Sequence, residues 1–159
     1  GGERAFISPA DGKVIAIKTV HHDFFKSDCL MISIFMTVFD VHINRCCYSG
    51  KVIARHYRPG KFLAAYKDAA VEFNEQNEIW IEADHFRFVI NQIAGVIARR
   101  IRCWIEVGEI VSRGQKIGLI QFGSRLDVYV PQDFVLEIER GDQVYAGKTV
   151  LGIPPIGKE

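Results

Sequence analysis

The residues with the clearest chemical potential are a hydroxyl, an imidazole and a carboxylate: Ser124 in "QFGSRLDVYVP", His42 in "FMTVFDVHINRCCYSGKV" and Asp11 in "SPADGKV". A serine hydroxyl is a weak nucleophile at neutral pH until a base removes its proton, and the base works best when a third group fixes its tautomer. The carbonyl nearest to Ser124 in the chain is that of Gly123. Attack on it would be intramolecular and would gain from a high effective concentration. Glycine leaves that carbonyl unshielded and tolerates dihedrals other residues avoid. Each residue also has a plain structural reading. Gly-Ser is an ordinary turn pair, Asp-Gly favours tight hairpins, and a histidine after an apolar run is commonly a structural residue held by hydrogen bonds.

A scaffold must bring such groups together, and the composition permits one. The 159 residues are about one domain's worth and suffice for a self-supporting core. Apolar residues make up 48% and charged residues 25%, which excludes a disordered chain. A formal net charge of +1 gives no ground for nucleic-acid binding, so any basic patch is local. "DGKVIAI" from Asp11 is echoed by "SGKVIAR" from Ser49, and "GEIVSRGQKIG" from Gly108 by "GDQVYAGKTVL" from Gly141. Each copy reads as strand, tight turn, strand. Further strands are expected over Met31–Phe39, Asn77–Glu82, Phe86–Ile93, Gly95–Trp104, Lys116–Phe122, Leu126–Val130 and Phe134–Glu139. One helix is expected in "KFLAAYKDAAVEF", after Pro59 and Gly60. The fold class is therefore mainly β: a single domain of short strands in a barrel or sandwich, with internal pseudo-repeats and one or two helices.

Cys29, Cys46, Cys47 and Cys103 form no C-x-x-C pair and have no histidine at zinc-ligand spacing, so buried free thiols and no metal are expected. The longest apolar run, "CLMISIFMTVFDVHI", is broken by Ser33, Thr37 and Asp40 and falls short of the ~20 residues of a spanning helix. The start "GGERAF" carries no initiator methionine and lies close to a strand, which is compatible with an upstream segment such as a membrane anchor.

Taken in order, "SPADGKV", "FMTVFDVHINRCCYSGKV" and "QFGSRLDVYVP", with "YRPGKF" and "IAGVIARRI" between them, resemble the phosphatidylserine decarboxylase family in its short form with a Gly-Ser-Arg cleavage motif. The likeness spans about Ile7 to Gly152. It implies a proenzyme that cuts itself between Gly123 and Ser124, giving a β chain of residues 1–123 and an α chain of residues 124–159. Ser124 would become a pyruvoyl group, the cofactor, and Asp11 and His42 match the family's acid and base. Serine suits that position because its β-carbon becomes the pyruvoyl methyl. Such a ketone condenses with an amine and accepts the electron pair left when carbon dioxide departs, as pyridoxal phosphate does elsewhere. The implied substrate is phosphatidylserine and the product phosphatidylethanolamine. The implied location is peripheral, on the cytoplasmic side of the cell membrane, with a homo-oligomer expected. Two departures stand out: "NRCCYSG" has cysteines where the family commonly has proline, and Arg125 replaces the threonine of other branches, which leaves the lipid class open to archaeal ether lipids.

Other assignments follow from the residues. Phe62, Leu63 and Tyr66 beside Lys61 and Lys67 could lie at a bilayer interface or pack on the barrel. Arg99, Arg100 and Arg102 could meet a phosphodiester, although a solvated strand face fits them better. Asp127 is read as a structural partner of a nearby cation such as Arg125, and Asn44 and Arg45 as residues that orient the site or hold its loop. His21, His22, His56 and His85 are read as surface or loop residues. The rival readings are a lipoyl-like carrier modified on Lys13 or Lys148 and a sugar-phosphotransferase IIA-like module phosphorylated on His42; both leave "FGSR" without a purpose. A serine hydrolase is disfavoured because "FGSRL" lacks the G-x-S-x-G elbow.

Overall fold

The computed structural model describes residues 2–36, 42–61, 63–96, 101–120 and 123–156. In chain order the elements are β1 (Phe6–Ile7), β2 (Gly12–His22), β3 (Ser27–Phe35), β4 (His42–Arg45), β5 (Gly50–Arg58), α1 (Ala69–Phe73), β6 (Gln76–Glu82) and β7 (Arg87–Ile93). They continue with β8 (Arg102–Cys103), β9 (Ile110–Val111), β10 (Lys116–Ile120), β11 (Arg125–Pro131), β12 (Val135–Leu136), β13 (Gln143–Val144) and β14 (Val150–Ile153). The main sheet has eight strands in the order β13-β2-β3-β11-β7-β6-β5-β9, and two three-stranded sheets, β1-β14-β12 and β4-β10-β8, accompany it. The chain is mainly β, as its alternating patterns predict.

The sequence echoes are structural repeats. Within the main sheet, β13-β2-β3-β11 and β9-β5-β6-β7 form two four-stranded units that abut antiparallel at β11 and β7. Their hydrogen bonds correspond in detail. Val14 N–H donates to Asp142 O at 2.9 Å and Val52 N–H to Glu109 O at 2.9 Å, while Gly141 and Gly108 donate back to Val14 O and Val52 O. Gly108 and Gly141 hold φ of +95° and +99°, a turn conformation that glycine adopts without steric cost. The register of β2 slips between Val14 and Ala16, and that of β5 between Val52 and Ala54. A bulge at the same place in both copies bends each long strand and curls the sheet.

The alternation of side chains divides the central strand. Leu126, Val128 and Val130 enter a core with Ile32, Ile34, Ile90, Phe88 and Phe6. Tyr129 enters a smaller cluster on the opposite face with Phe24, Cys29, Met31 and Val89. His22 belongs to that second face: its Nε2 lies 2.5 Å from Glu78 Oε1 and its ring meets Trp80 and Tyr129, so it is a packed strand residue and not the surface histidine its sequence context predicts. Burying β11 on both sides is consistent with its near-continuous apolar run.

Three expected elements are shorter than their patterns imply. Helix α1 occupies only Ala69–Phe73 of the apolar stretch that begins at Lys61. The Asn74 side chain explains this, because its Oδ1 accepts from Leu63 N–H and its Nδ2 donates to Leu63 O, so both backbone groups of Leu63 are taken before a helix can use them. The strand predicted over Gly95–Trp104 is limited, among the described residues, to Arg102–Cys103, and Gly95 and Val96 lie outside any strand. Likewise β12 covers only Val135–Leu136 of the predicted Phe134–Glu139. The last described parts of the predicted Met31–Phe39 and Lys116–Phe122 strands end at Phe35 and Ile120, and residues 37–41 and 121–122 lie outside the described residues.

No helix among the described residues is long and apolar enough to cross a membrane. All four cysteines are free thiols; Cys29, Cys46 and Cys47 are buried and Cys103 is half-buried. Burial pushes Cys29 up to about 11 and Cys46 up to about 12, and raises Cys47 as well. Reactivity follows the thiolate. At pH 8 a chromogenic disulfide reagent should therefore label Cys103 first, and the other three only when denaturant opens the core.

Candidate active site

Ser124 sits at the entrance to β11, the strand zipped between β3 and β7. Two backbone hydrogen bonds to β3's end extend the ladder around it: Gly123 N–H donates to Met36 O at 2.8 Å, and Met36 N–H donates to Ser124 O at 2.9 Å. Continuing the strand alternation, Ser124 shares the face of Leu126 and Val128. Its side chain is fully buried, and its Oγ has no hydrogen-bond partner among the described residues. Gly123 just before it adopts φ +82°, a conformation a side chain would strain.

The carbonyl of Gly123 is packed against the backbone of Gly95, where the chain leaves β7. That neighbouring segment is pinned. Ala94 N–H donates to Glu75 O at 2.9 Å, and Asn74 Nδ2 donates to Ala94 O at 2.7 Å. Asn74, fully buried, thus joins the loop at Leu63 to the end of β7. Sequence reasoning did not single out Asn74 or Gly95; the only available signal was a glycine inside an apolar run, which marks close backbone approach.

Arg125 points to the face opposite Ser124. Its Nε and Nη2 donate to the two oxygens of Asp127 at 2.7 and 3.0 Å, and its Nη1 reaches Ala65 O at 3.5 Å. Both side chains are almost wholly buried, at 4% and 0% exposure. The expectation that Asp127 pairs with Arg125 holds. This two-pronged pair attaches the first turn of β11 to the loop carrying Ala65 and Tyr66.

Asp11 stands immediately before β2, at the same end of the sheet: Lys13 is opposite Phe35, and Phe35 is opposite Arg125. Its Oδ1 accepts the Ala146 N–H at 2.6 Å. In the second repeat Ser49 Oγ accepts the Arg113 N–H in the same way, at 3.0 Å. Asp11 is therefore not in the tight hairpin that Asp-Gly favours; it holds the distant turn at Ala146, with a carboxylate where the other copy carries a hydroxyl. The backbone of His42 opens β4 and pairs with Ile120, near Gly123 along the chain; its side chain lies outside the described residues. Asn44, on the same strand, is buried, and its Oδ1 accepts from Gln92 Nε2 at 3.0 Å. Gln92 Oε1 in turn accepts from Asn77 Nδ2 at 3.0 Å, which links β4 through β7 to β6. Arg45 Nη1 donates to Gly114 O at 2.7 Å, so Arg45 holds the turn and Asn44 the strand.

Arg99 and Arg100 lie outside the described residues; Arg102, on β8, is exposed. No cluster of three or more metal-ligating side chains occurs among the described residues.

A model of the phosphatidylserine decarboxylase family matches residues 1–152, almost the whole chain. The chain belongs to the phosphatidylserine decarboxylase family. A phosphatidylserine decarboxylase proenzyme from Geotalea uraniireducens is 48% identical over 98% of this chain and 73% of its own length. One from Syntrophus aciditrophicus is 46% identical over 95% of this chain and 72% of its own length, and one from Carboxydothermus hydrogenoformans 43% identical over 94% and 71%. No solved structure matches. As a member of this family the chain is an enzyme, made as a proenzyme, and the carrier and phosphotransfer readings are not favoured.

The buried ion pair yields a prediction about this decarboxylase's fold. Arg125→Met strands the Asp127 carboxylate in the interior and should cost about 3–5 kcal/mol in denaturant unfolding. Arg125→Met combined with Asp127→Leu should recover most of that loss, because neither charge then remains buried alone.

Proposed function

We propose that this chain is a self-processing, pyruvoyl-dependent enzyme that decarboxylates phosphatidylserine to phosphatidylethanolamine. One observation carries the assignment of the bond that is cut: the Ser124 hydroxyl is fully buried and unpartnered among the described residues, directly after a glycine in the left-handed conformation. Leaving a buried polar atom unpaired costs about 1–3 kcal/mol, a cost that suits a reactive group better than a packing residue.

In this reading His42, oriented by Asp11, takes the Ser124 proton, and Oγ attacks the Gly123 carbonyl carbon. The amide becomes an ester. Loss of the Ser124 α-proton then expels the Gly123 carboxylate and leaves dehydroalanine, and addition of water with release of ammonia leaves the pyruvoyl ketone. The residues fit that group, because the hydroxyl that must be consumed is buried and held by no described residue. Once formed, the pyruvoyl group supplies an electrophilic carbonyl that stores the electron pair freed by decarboxylation. Around it, β3 and β7 hold the new chain end in the interior, and the Arg125–Asp127 pair fixes its first residue. His42 is also suited to return a proton to the decarboxylated carbon, since imidazole changes charge near neutral pH.

Cutting after Gly123 gives pieces 1–123 and 124–159 of one catalytic unit. They stay together because β11 lies between β3 and β7, β13 on β2, and β14 on β1. The enzyme works at a membrane surface as a peripheral protein. Tyr66, Phe73 and Val96 are exposed, and they lie on the segments that flank the Gly95–Gly123 contact, with the Lys61 ammonium over the Phe73 ring. Such mixed apolar and cationic residues suit an interface with anionic lipid.

Denatured intact-mass analysis tests the reading. The parent chain should appear as two pieces, the second with a blocked N-terminus, whereas Ser124→Ala should remain whole and release no carbon dioxide from phosphatidylserine vesicles. Asp11→Ala should slow cleavage by roughly 10²–10⁴-fold. A parent chain that stays whole while it decarboxylates phosphatidylserine would remove the self-cleavage mechanism.

A further inference from the structure

We propose that Gly95 is a positioning residue for self-cleavage: its bare backbone is the seat of the Gly123 carbonyl, and any side chain there would move that carbonyl out of line with Ser124. This rests on the reading of Gly123–Ser124 as the bond that is cut. Gly95 does not have a left-handed φ, so backbone conformation does not demand glycine at this place. Space does. A Cβ on Gly95 would overlap the Gly123 carbonyl oxygen and stand 2.7 Å from its carbonyl carbon, with the Ala65 Cβ 3.4 Å away. The two atoms it would strike first are those of the carbonyl group that Ser124 Oγ attacks.

Neither side of the contact can easily retreat. Ala94 is held at its carbonyl by Asn74 and at its N–H by Glu75. Across the contact, Gly123 is held by the Met36 carbonyl and the following serine by the Met36 N–H. With both neighbours held, a methyl group at Gly95 would be relieved most directly by tilting the Gly123–Ser124 peptide, whose carbonyl it overlaps. In the step concerned, the Ser124 Oγ bonds to the Gly123 carbon as the bond from that carbon to the Ser124 nitrogen breaks. The hydroxyl proton passes by way of the base to the freed amine, and nothing is oxidised. Such an attack needs the atoms about 3–3.5 Å apart and aligned, and a misplacement of about 1 Å can cost roughly 10²-fold.

The test compares two glycine-to-alanine variants of the full chain. Gly152→Ala, in the β1-β14-β12 sheet, overlaps a backbone oxygen, that of Val135, and the Phe134 ring beside it, outside the strands that hold Ser124. The two should lose comparable thermal stability, but Gly95→Ala should slow the appearance of the two fragments by roughly 10²-fold while Gly152→Ala leaves it near the parent rate. Cleavage of Gly95→Ala at the parent rate, or equal slowing in both variants, overturns the proposal. If Gly95→Ala does not fold, Asn74→Asp addresses the same seat without added volume, since it keeps the acceptor for Leu63 N–H and loses the amide that donates to both Ala94 O and Leu63 O. A slowed cleavage in that folded variant supports the seat, and an unchanged rate overturns it. Failure of the parent reading looks different: cleavage that persists at the same bond in Ser124→Ala would sink the role of Ser124 itself.

Discussion

The structure depends on the double pairing of β11. One short strand is hydrogen-bonded to β3 on one side and β7 on the other, and its apolar residues feed cores on both faces of the sheet. A strand so placed cannot shift by one residue without exchanging every inward and outward side chain. That rigidity carries Ser124 into the interior, with Arg125 on the opposite face. It also means that the segment after the proposed cut is the middle of the molecule and not a tail, so a chain broken there can remain a folded one.

Polarity is concentrated around that strand. Gln76 and Asn77 on β6 and Asn91 and Gln92 on β7 are buried and paired across the two strands by side-chain hydrogen bonds, Asn91 with Gln76 and Asn77 with Gln92. Asn44 extends the second pair into a network through Gln92. A core built this way has fewer alternatives than a purely apolar one, because each amide must find its partners. The network also ties β4, which begins with the His42 backbone and pairs in register with β10, to β7. Ser124 Oγ has no bond to that network.

The repeats place different side chains at equivalent turns of one scaffold. Asp11 and Ser49 each accept an N–H from a turn in the partner segment, and the bulges in β2 and β5 fall at matching places. The two copies therefore share a fold and differ in chemistry. Only the copy with Asp11 lies opposite the end of β3 and β11 where Ser124 enters the sheet.

The strand content, the repeats, the free thiols and the Arg125–Asp127 pair were legible in the sequence, because alternation, glycine-marked turns and near-neighbour charges are local properties of the chain. Family membership was legible too, from three short segments in order. The length of α1 was not, since Asn74 competes for the backbone of Leu63 across the loop and periodicity registers only the apolar face. Nor was the burial of His22 against Glu78, which joins β2 to β6 across the intervening sheet. The seat at Gly95 belongs to the same class. The sequence by itself determined which residues can react and which segments form strands; tertiary structure alone decided which backbone lies against the Gly123 carbonyl, because contacts between distant segments depend on how the sheet closes and leave no periodic trace in the chain.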